Sequence, residues 1–194
     1  MAKTESNFIN MLITLFGVTL IASVSLALVY NITKEPIEKS KTLKKEKAMS
    51  IVLPKFDKII THKVLPPDSK DSVEVNVAYN GEENVGVAIE TYTDLGFGGR
   101  IRAIVGIKKD GSIHDVVHLE HKETPGLGTK MSDKKFISQF IDKNPRNFSL
   151  KVSKDGGNVD AITAATVTSR AFCDAMQRAS DAVNKIINDS TVKY

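Results

Sequence analysis

Tryptophan is absent from this chain, aromatic residues make up only 6% of it, and one cysteine, Cys173, stands alone among 194 residues. Nucleic-acid binding modules combine a concentrated basic face with stacking aromatics, so this composition argues against nucleic acid as a partner. A lone cysteine forms no internal disulfide and supplies neither a zinc cluster nor iron–sulfur ligation, which leaves any redox chemistry to a bound cofactor. No Gly-Lys-Ser or Gly-Lys-Thr closes a phosphate-binding loop, and the dinucleotide fingerprint is missing, so ATP and NAD sites are unsupported. Internal repeats and low-complexity tracts are lacking as well. What remains, 41% hydrophobic and 26% charged residues, is the composition of one ordinary globular domain with an appendage.

The appendage is a run without charge. Residues 11–30 read MLITLFGVTLIASVSLALVY, long enough as a helix to cross a bilayer core of roughly 30 Å. Only Lys3, Glu5 and the amino terminus carry charge before it. A cleavable signal peptide has a shorter apolar core behind a basic start, although Ser25-Leu26-Ala27 has the small residues of a cleavage site. The expected reading is a transmembrane helix within residues 1–30. The net charge of +4 (27 Lys and Arg against 23 Asp and Glu) is concentrated just beyond it, where residues 34–47 hold six Lys and three Glu. By the positive-inside rule these lysines would keep the following domain in the cytoplasm, yet long domains translocate largely regardless of charge. Sequence physics leaves the side open. Pro36 suits a first helical turn, and Lys, Glu and Ala favour a helix from Ile37 to Val52, so residues 31–54 are expected to form a charged stalk with a solvated or headgroup-facing surface.

From Val73 the hydrophobic period changes to two. Val73, Val75, Val77 and Tyr79 alternate with polar residues, Asn80-Gly81 offers a hairpin turn, and Val85, Val87, Ile89 and Thr91 resume the alternation. A second hairpin follows, residues 101–107 and 113–119 about the turn at Asp110-Gly111, giving a four-strand antiparallel meander. Ser132 is placed to cap a helix carrying Phe136, Ile137, Phe140 and Ile141, ended by Asn144-Pro145. A short strand is expected over residues 148–152. A last helix follows, with apolar positions Phe172, Ala175, Met176, Ala179, Ala182, Val183, Ile186 and Ile187. The fold class is α+β, an antiparallel sheet packed with helices over residues 55–194 and preceded by one N-terminal transmembrane helix.

His114, His118 and His121 have the spacing of metal ligands on a helix. On a strand, however, His121 points away from the other two, so surface or loop histidines are expected and no metal site is assigned. His62 stands alone. Two glycine clusters, Gly96-Phe97-Gly98-Gly99 and Gly126-Leu127-Gly128, would let backbone N–H groups approach a ligand, or serve simply as turns. Residues 160–169, DAITAATVTS, precede the last helix, where free N–H groups and the helix dipole favour a phosphate, and where Ser and Thr also serve as ordinary caps.

Taken together, the N-terminal span, the lysine-rich stalk, Gly96-Phe97-Gly98-Gly99, Glu123-Thr124-Pro125-Gly126-Leu127-Gly128 and residues 160–166 resemble the FMN-binding G subunit of the Rnf electron-transport complex. The C subunit of the sodium-pumping NADH:quinone reductase is a relative with the same domain and is usually longer. In this family a flavin transferase links FMN, through its phosphate, to the final hydroxyl of a pattern Asp, two variable residues, Ser or Thr, Gly, Ala, and Thr or Ser. Asp160, Thr163, Ala165 and Thr166 fit that pattern. Thr166 is the implied acceptor, Asp160 the implied transferase-recognition residue, and Thr168 a neighbouring hydroxyl. Ala164 stands where the pattern has glycine, and alanine adopts positive φ less readily.

The resemblance implies covalent FMN on Thr166, with Thr163, Ala164, Ala165, Glu123, Thr124, Gly126, Leu127 and Gly128 around the cofactor and no catalytic acid, base or nucleophile. It implies an electron-transfer subunit, without independent catalytic activity, of an ion-translocating ferredoxin:NAD oxidoreductase. The implied partners are the other Rnf subunits, notably the FMN-bearing D subunit in the membrane, the flavin transferase and membrane lipid. The flavin domain would lie on the exocytoplasmic, periplasmic side of the cytoplasmic membrane. Alternatives are the C subunit of the sodium-pumping reductase, a free-standing flavin reductase, and a membrane-tethered binding module in which Thr166 is only a helix cap.

Overall fold

The structure, a computed structural model, describes residues 7–64 and 72–188. Lys3, Glu5 and the side chain of Ile187 lie outside the described residues. The chain divides into two compact units, Met1–Leu43 and Lys44–Tyr194.

Helix α1 (Phe8–Val52) makes up the described part of the first unit and runs on into the second. It is long and apolar enough to cross a membrane, with Phe8, Leu15, Ile21 and Leu26 all exposed. The hydroxyls of Thr14 and Thr19 donate to the carbonyls of Asn10 and Leu15 at 2.8 and 2.9 Å. These polar side chains are therefore satisfied by the helix itself, as an apolar surrounding requires. The helix does not restart at Pro36, as the sequence reading expects, but passes through it. Proline removes one i→i−4 bond, and the Lys and Glu that follow are strong enough helix formers to propagate beyond it.

In the second unit, strands β1 (Lys58–Val64), β2 (Val73–Asn80), β3 (Glu83–Gly96), β4 (Gly99–Ile107) and β5 (Ile113–Glu120) form one antiparallel sheet in sequence order. Val75 opposes Ile89 and Val77 opposes Val87 across β2 and β3. The four expected strands are present, and β1 is a fifth. Its Lys-Ile-Ile-Thr-His-Lys-Val sequence alternates weakly, and its lysines suit an edge strand that must resist further pairing.

Helix α3 (Thr166–Asn188) covers one face of the sheet, burying Phe172, Met176, Ala179, Ala182, Val183 and Ile186 against Val77, Val87, Ile89, Ala103 and Val105. The last turns of α1 cover the other face, where Ala48, Val52 and Leu53 pack on Ala78, Ala88 and Ile104. Small residues let the helix come close. A Cβ on Gly106 would lie 1.8 Å from the Val52 carbonyl oxygen. Ion pairs fasten the same contact: Lys45 bridges Glu74 and Glu90, and Arg102 also pairs with Glu90. Burial opposes ionisation of Glu90, but Lys45 and Arg102 outweigh it and hold the carboxyl below its ordinary range.

Two expected elements are shorter than the sequence reading has them. A 3-10 turn (Gly128–Ser132) ends at Ser132, and the segment after it forms only a single helical turn, α2 (Lys134–Ile137), with Asp133 rather than Ser132 at the N-cap position. Asp142 N–H donates to the Ile113 carbonyl and Ile113 N–H to the Lys143 carbonyl, at 2.8 and 2.9 Å, so pairing with the start of β5 draws the chain out of the helix. Residues 148–152 form no strand, only one parallel bridge from Val152 to Val159. Their alternation is nevertheless used, with Leu150 and Val152 buried in the core and Ser149 and Lys151 exposed.

Candidate functional site

The β3–β4 hairpin, the loop after β5 and the first turn of α3 meet at one carboxylate. Glu123 is 5% exposed. Its Oε1 accepts the Gly98 N–H at 2.9 Å and its Oε2 accepts the Thr168 hydroxyl at 2.5 Å. The glycines are explained by this crowding. A Cβ on Gly98 would lie 1.9 Å from the Lys122 carbonyl oxygen, one on Gly96 2.7 Å from Glu123 Oε1, and one on Gly128 2.6 Å from Glu123 Oε2 and 3.0 Å from Thr168 Oγ1. Gly96, Gly98 and Gly128 thus admit the carboxylate and neighbouring backbone. Gly126, with φ of +75° and open space around its Cβ position, serves the turn. That turn is closed by Thr129, whose hydroxyl accepts the Gly126 N–H at 2.9 Å. Thr124, Gly126 and Leu127 are exposed beside it.

The turn before α3 presents the hydroxyls. Ala165 N–H donates to the Ile162 carbonyl at 3.0 Å, which makes residues 162–165 a tight turn with Thr163 and Ala164 exposed at its tip. Ala164 has φ of +62°, the left-handed region in which a Cβ is strained. Thr166 opens the helix, half-buried, while Ala165 is buried behind it. As at every helix start, the first N–H groups of α3 have no intrahelical acceptor. Ser169 locks the turn by accepting the Ile162 N–H at 2.9 Å and donating to the Ala165 carbonyl at 3.0 Å.

Asp160 is exposed and held by its backbone. Gln139 accepts the Asp160 N–H at 2.7 Å and donates to its carbonyl at 3.2 Å, and the Ser153 hydroxyl donates to Asp160 Oδ1 at 3.1 Å. Between this segment and α2 runs a cleft of about 540 Å³ whose lining includes Lys130, Lys135, Phe136, Gln139, Ile162 and Thr163. Arg170 makes two 2.7 Å hydrogen bonds to Asp155, which tie the turn Ser153–Asp155 to α3. Gln139 and Arg170 were not legible as site residues, because the partners that tie them to the site, Asp160 and Asp155, lie 21 and 15 positions away.

His118 differs from its expected place on the surface or in a loop. Its ring stacks on Phe172 of α3 at 5.1 Å, and its Nε2 is buried with no hydrogen-bond partner among the described residues. Burial above all, with the nearby charges of His121 and Lys44, pushes its pKa down to about 4. The ring is therefore neutral at ordinary pH. Among the described residues no three His, Cys, Asp or Glu converge as a metal site. Burial pushes the Cys173 thiol up to about 12, which leaves it unreactive.

Strands β4 and β5 of this antiparallel sheet, the carboxylate junction and the start of α3 fall within residues 96–181, which match the family described as FMN-binding domain. The G subunit of the ion-translocating oxidoreductase complex of Shewanella amazonensis is 34% identical over 177 residues, 84% of this chain and 82% of that protein. The corresponding G subunit of Methanosarcina acetivorans is 31% identical over 183 residues, 90% of this chain and 94% of that protein. The chain belongs to this G-subunit family. Among solved structures, NqrC of Shewanella oneidensis aligns at 24% identity and a TM-score of 0.43, over 67% of this chain and 64% of that one.

Proposed function

We propose that this chain is a membrane-anchored electron-transfer subunit that carries FMN as a phosphoester on the Thr166 hydroxyl and relays electrons within an ion-translocating ferredoxin:NAD oxidoreductase. In this reading residues 1–30 anchor the chain, 31–54 form the stalk and 55–194 the FMN-binding domain, which lies on the exocytoplasmic side of the cytoplasmic membrane. The family membership supports the complex. The single observation that carries the attachment is the half-buried Thr166 at the first residue of α3, next to an exposed, strained turn.

The residues present fit the group. A phosphoester at Thr166 leaves one negative charge at the α3 N-terminus, where the helix dipole stabilises an anion by about 0.3–1 kcal/mol. The adjacent cleft of about 540 Å³ falls within the range of cofactor pockets, roughly 300–1,000 Å³. FMN, when bound, would supply electron transfer in steps of one or two electrons. The chain's own residues hold and orient. Ser169 fixes the turn that presents Thr166, Ala165 backs it from the core, and Glu123 secures the loop of Thr124, Gly126 and Leu127 beside α3. Thr163 and Ala164 form the exposed tip. Asp160 is the residue a flavin transferase would recognise in this reading, a role its exposed side chain and its backbone bond to Gln139 support. The proposed partners are the other members of the complex, notably its FMN-bearing D subunit in the membrane, together with the transferase and membrane lipid.

The test is intact-mass spectrometry of the full chain co-expressed with a flavin transferase and exported, beside Thr166→Ala, with flavin fluorescence read in denaturing gels. The parent should gain the mass of FMN less one water and the variant should not. An unmodified parent beside an active transferase would overturn the covalent assignment.

A further inference from the structure

Glu123 is a buried carboxylate that meets two uncharged donors, the Gly98 N–H and the Thr168 hydroxyl, and among the described residues it enters no ion pair. As a purely structural connection the charge is unnecessary. A glutamine of the same shape would accept from Gly98 and donate to Thr168 Oγ1, avoiding the desolvation of a buried charge. The carboxylate sits on the first turn of α3, with its partner Thr168 two residues beyond Thr166 on the same helix. A negative charge in this sheltered position opposes the addition of electrons to any nearby redox group, because water screens it poorly there.

We propose that Glu123 is a positioning residue with an electrostatic role, its unpaired buried charge holding down the reduction potential of the flavin carried on α3. This inference rests on the Thr166 reading. It assigns Glu123 no direct contact with the flavin, since both its oxygens are engaged by protein donors.

Two nearly isosteric substitutions separate the charge from the architecture. Glu123→Gln removes the charge and keeps the hydrogen-bonded junction, so the midpoint potential should rise. Thr168→Val removes the hydroxyl that solvates the carboxylate and keeps the charge, so the midpoint should fall. Both would be measured by anaerobic visible-absorbance redox titration at pH 8.5 on the full flavin-loaded chain in detergent. Intact mass would confirm one FMN per chain, and thermal melting would confirm the fold. Shifts of opposite sign support the proposal. Unchanged midpoints, or shifts of the same sign, overturn it and leave Glu123 a structural tie. If Glu123→Gln fails to fold or load, the direction of the Thr168→Val shift decides alone. A parent without flavin overturns the Thr166 reading, and this inference with it, and is recognised by mass before any titration.

Discussion

The Thr168 hydroxyl donates to Glu123 Oε2 at 2.5 Å, joining the first turn of α3 to a loop 45 residues earlier in the chain. The same carboxylate accepts the Gly98 N–H from the β3–β4 hairpin. Truncation would therefore strand the buried Thr168 hydroxyl and the half-buried Gly98 N–H. Glu123→Ala should destabilise the full chain by roughly 2–4 kcal/mol, given about 1–3 kcal/mol for the stranded Thr168 hydroxyl and less for the Gly98 N–H, which water can reach. Glu123→Gln, which retains both partners, should lose far less. Urea unfolding followed by circular dichroism in detergent checks both, and equal losses would show that the donors find other partners.

Ala164 holds φ of +62° at the tip of the turn before Thr166. For an alanine this conformation costs about 1–2 kcal/mol, while glycine's greater freedom in the unfolded chain returns part of that. Ala164→Gly should thus stabilise the protein by roughly 0.5–1 kcal/mol and raise the fraction of chains carrying flavin after a fixed time with the transferase. Ala164→Val should do the reverse on both counts. Melting temperature and intact mass on the same samples report the two effects.

His118 is neutral when folded, its pKa lowered to about 4 from 6.5, first by burial and then by the charges of His121 and Lys44. Because the unfolded chain binds this proton more tightly, stability is complete above about pH 6.5 and falls as the pH drops toward 4. The loss has an upper limit of about 3 kcal/mol at 1.36 kcal/mol per pH unit. A His118→Phe variant preserves stacking on Phe172 and lacks the proton, so its melting temperature should fall less between pH 6.5 and 4. Parallel curves for parent and variant would assign the acid sensitivity to other groups.

Gly106 lies under the end of α1, where a Cβ would fall 1.8 Å from the Val52 carbonyl oxygen. Backbone cannot yield as a flexible side chain can, so Gly106→Ala should destabilise by about 3 kcal/mol or more through overpacking. Protection of the residue 48–53 amides in hydrogen exchange should fall in this variant while that of α3 persists. Uniform loss across the domain would mean that the α1 contact and the α3 core unfold together.

Much of this architecture is local, and local chemistry was enough to read it. A charge-free run in residues 11–30 can be apolar helix surface whatever surrounds it, Gly81 and Gly111 adopt the positive φ their turns require, and the period-two strands between them pair in the expected order. The apolar spacing of α3 likewise determined which face meets the sheet. Tertiary structure decided the rest. Helix α2 is a single turn because Asp142 and Lys143 bond to Ile113, about 30 residues away, and β1 is a strand because β2 offers its edge. The residues 96–99, 123–128 and 160–166 were each visible as motifs, but not as neighbours. Their meeting depends on one carboxylate reaching 25 residues back and 45 forward, through space that only glycine leaves open. A sequence displays turns, periods and hydroxyls because these act over a few residues. Which donors a buried charge will find depends on how sheet and helix close around it.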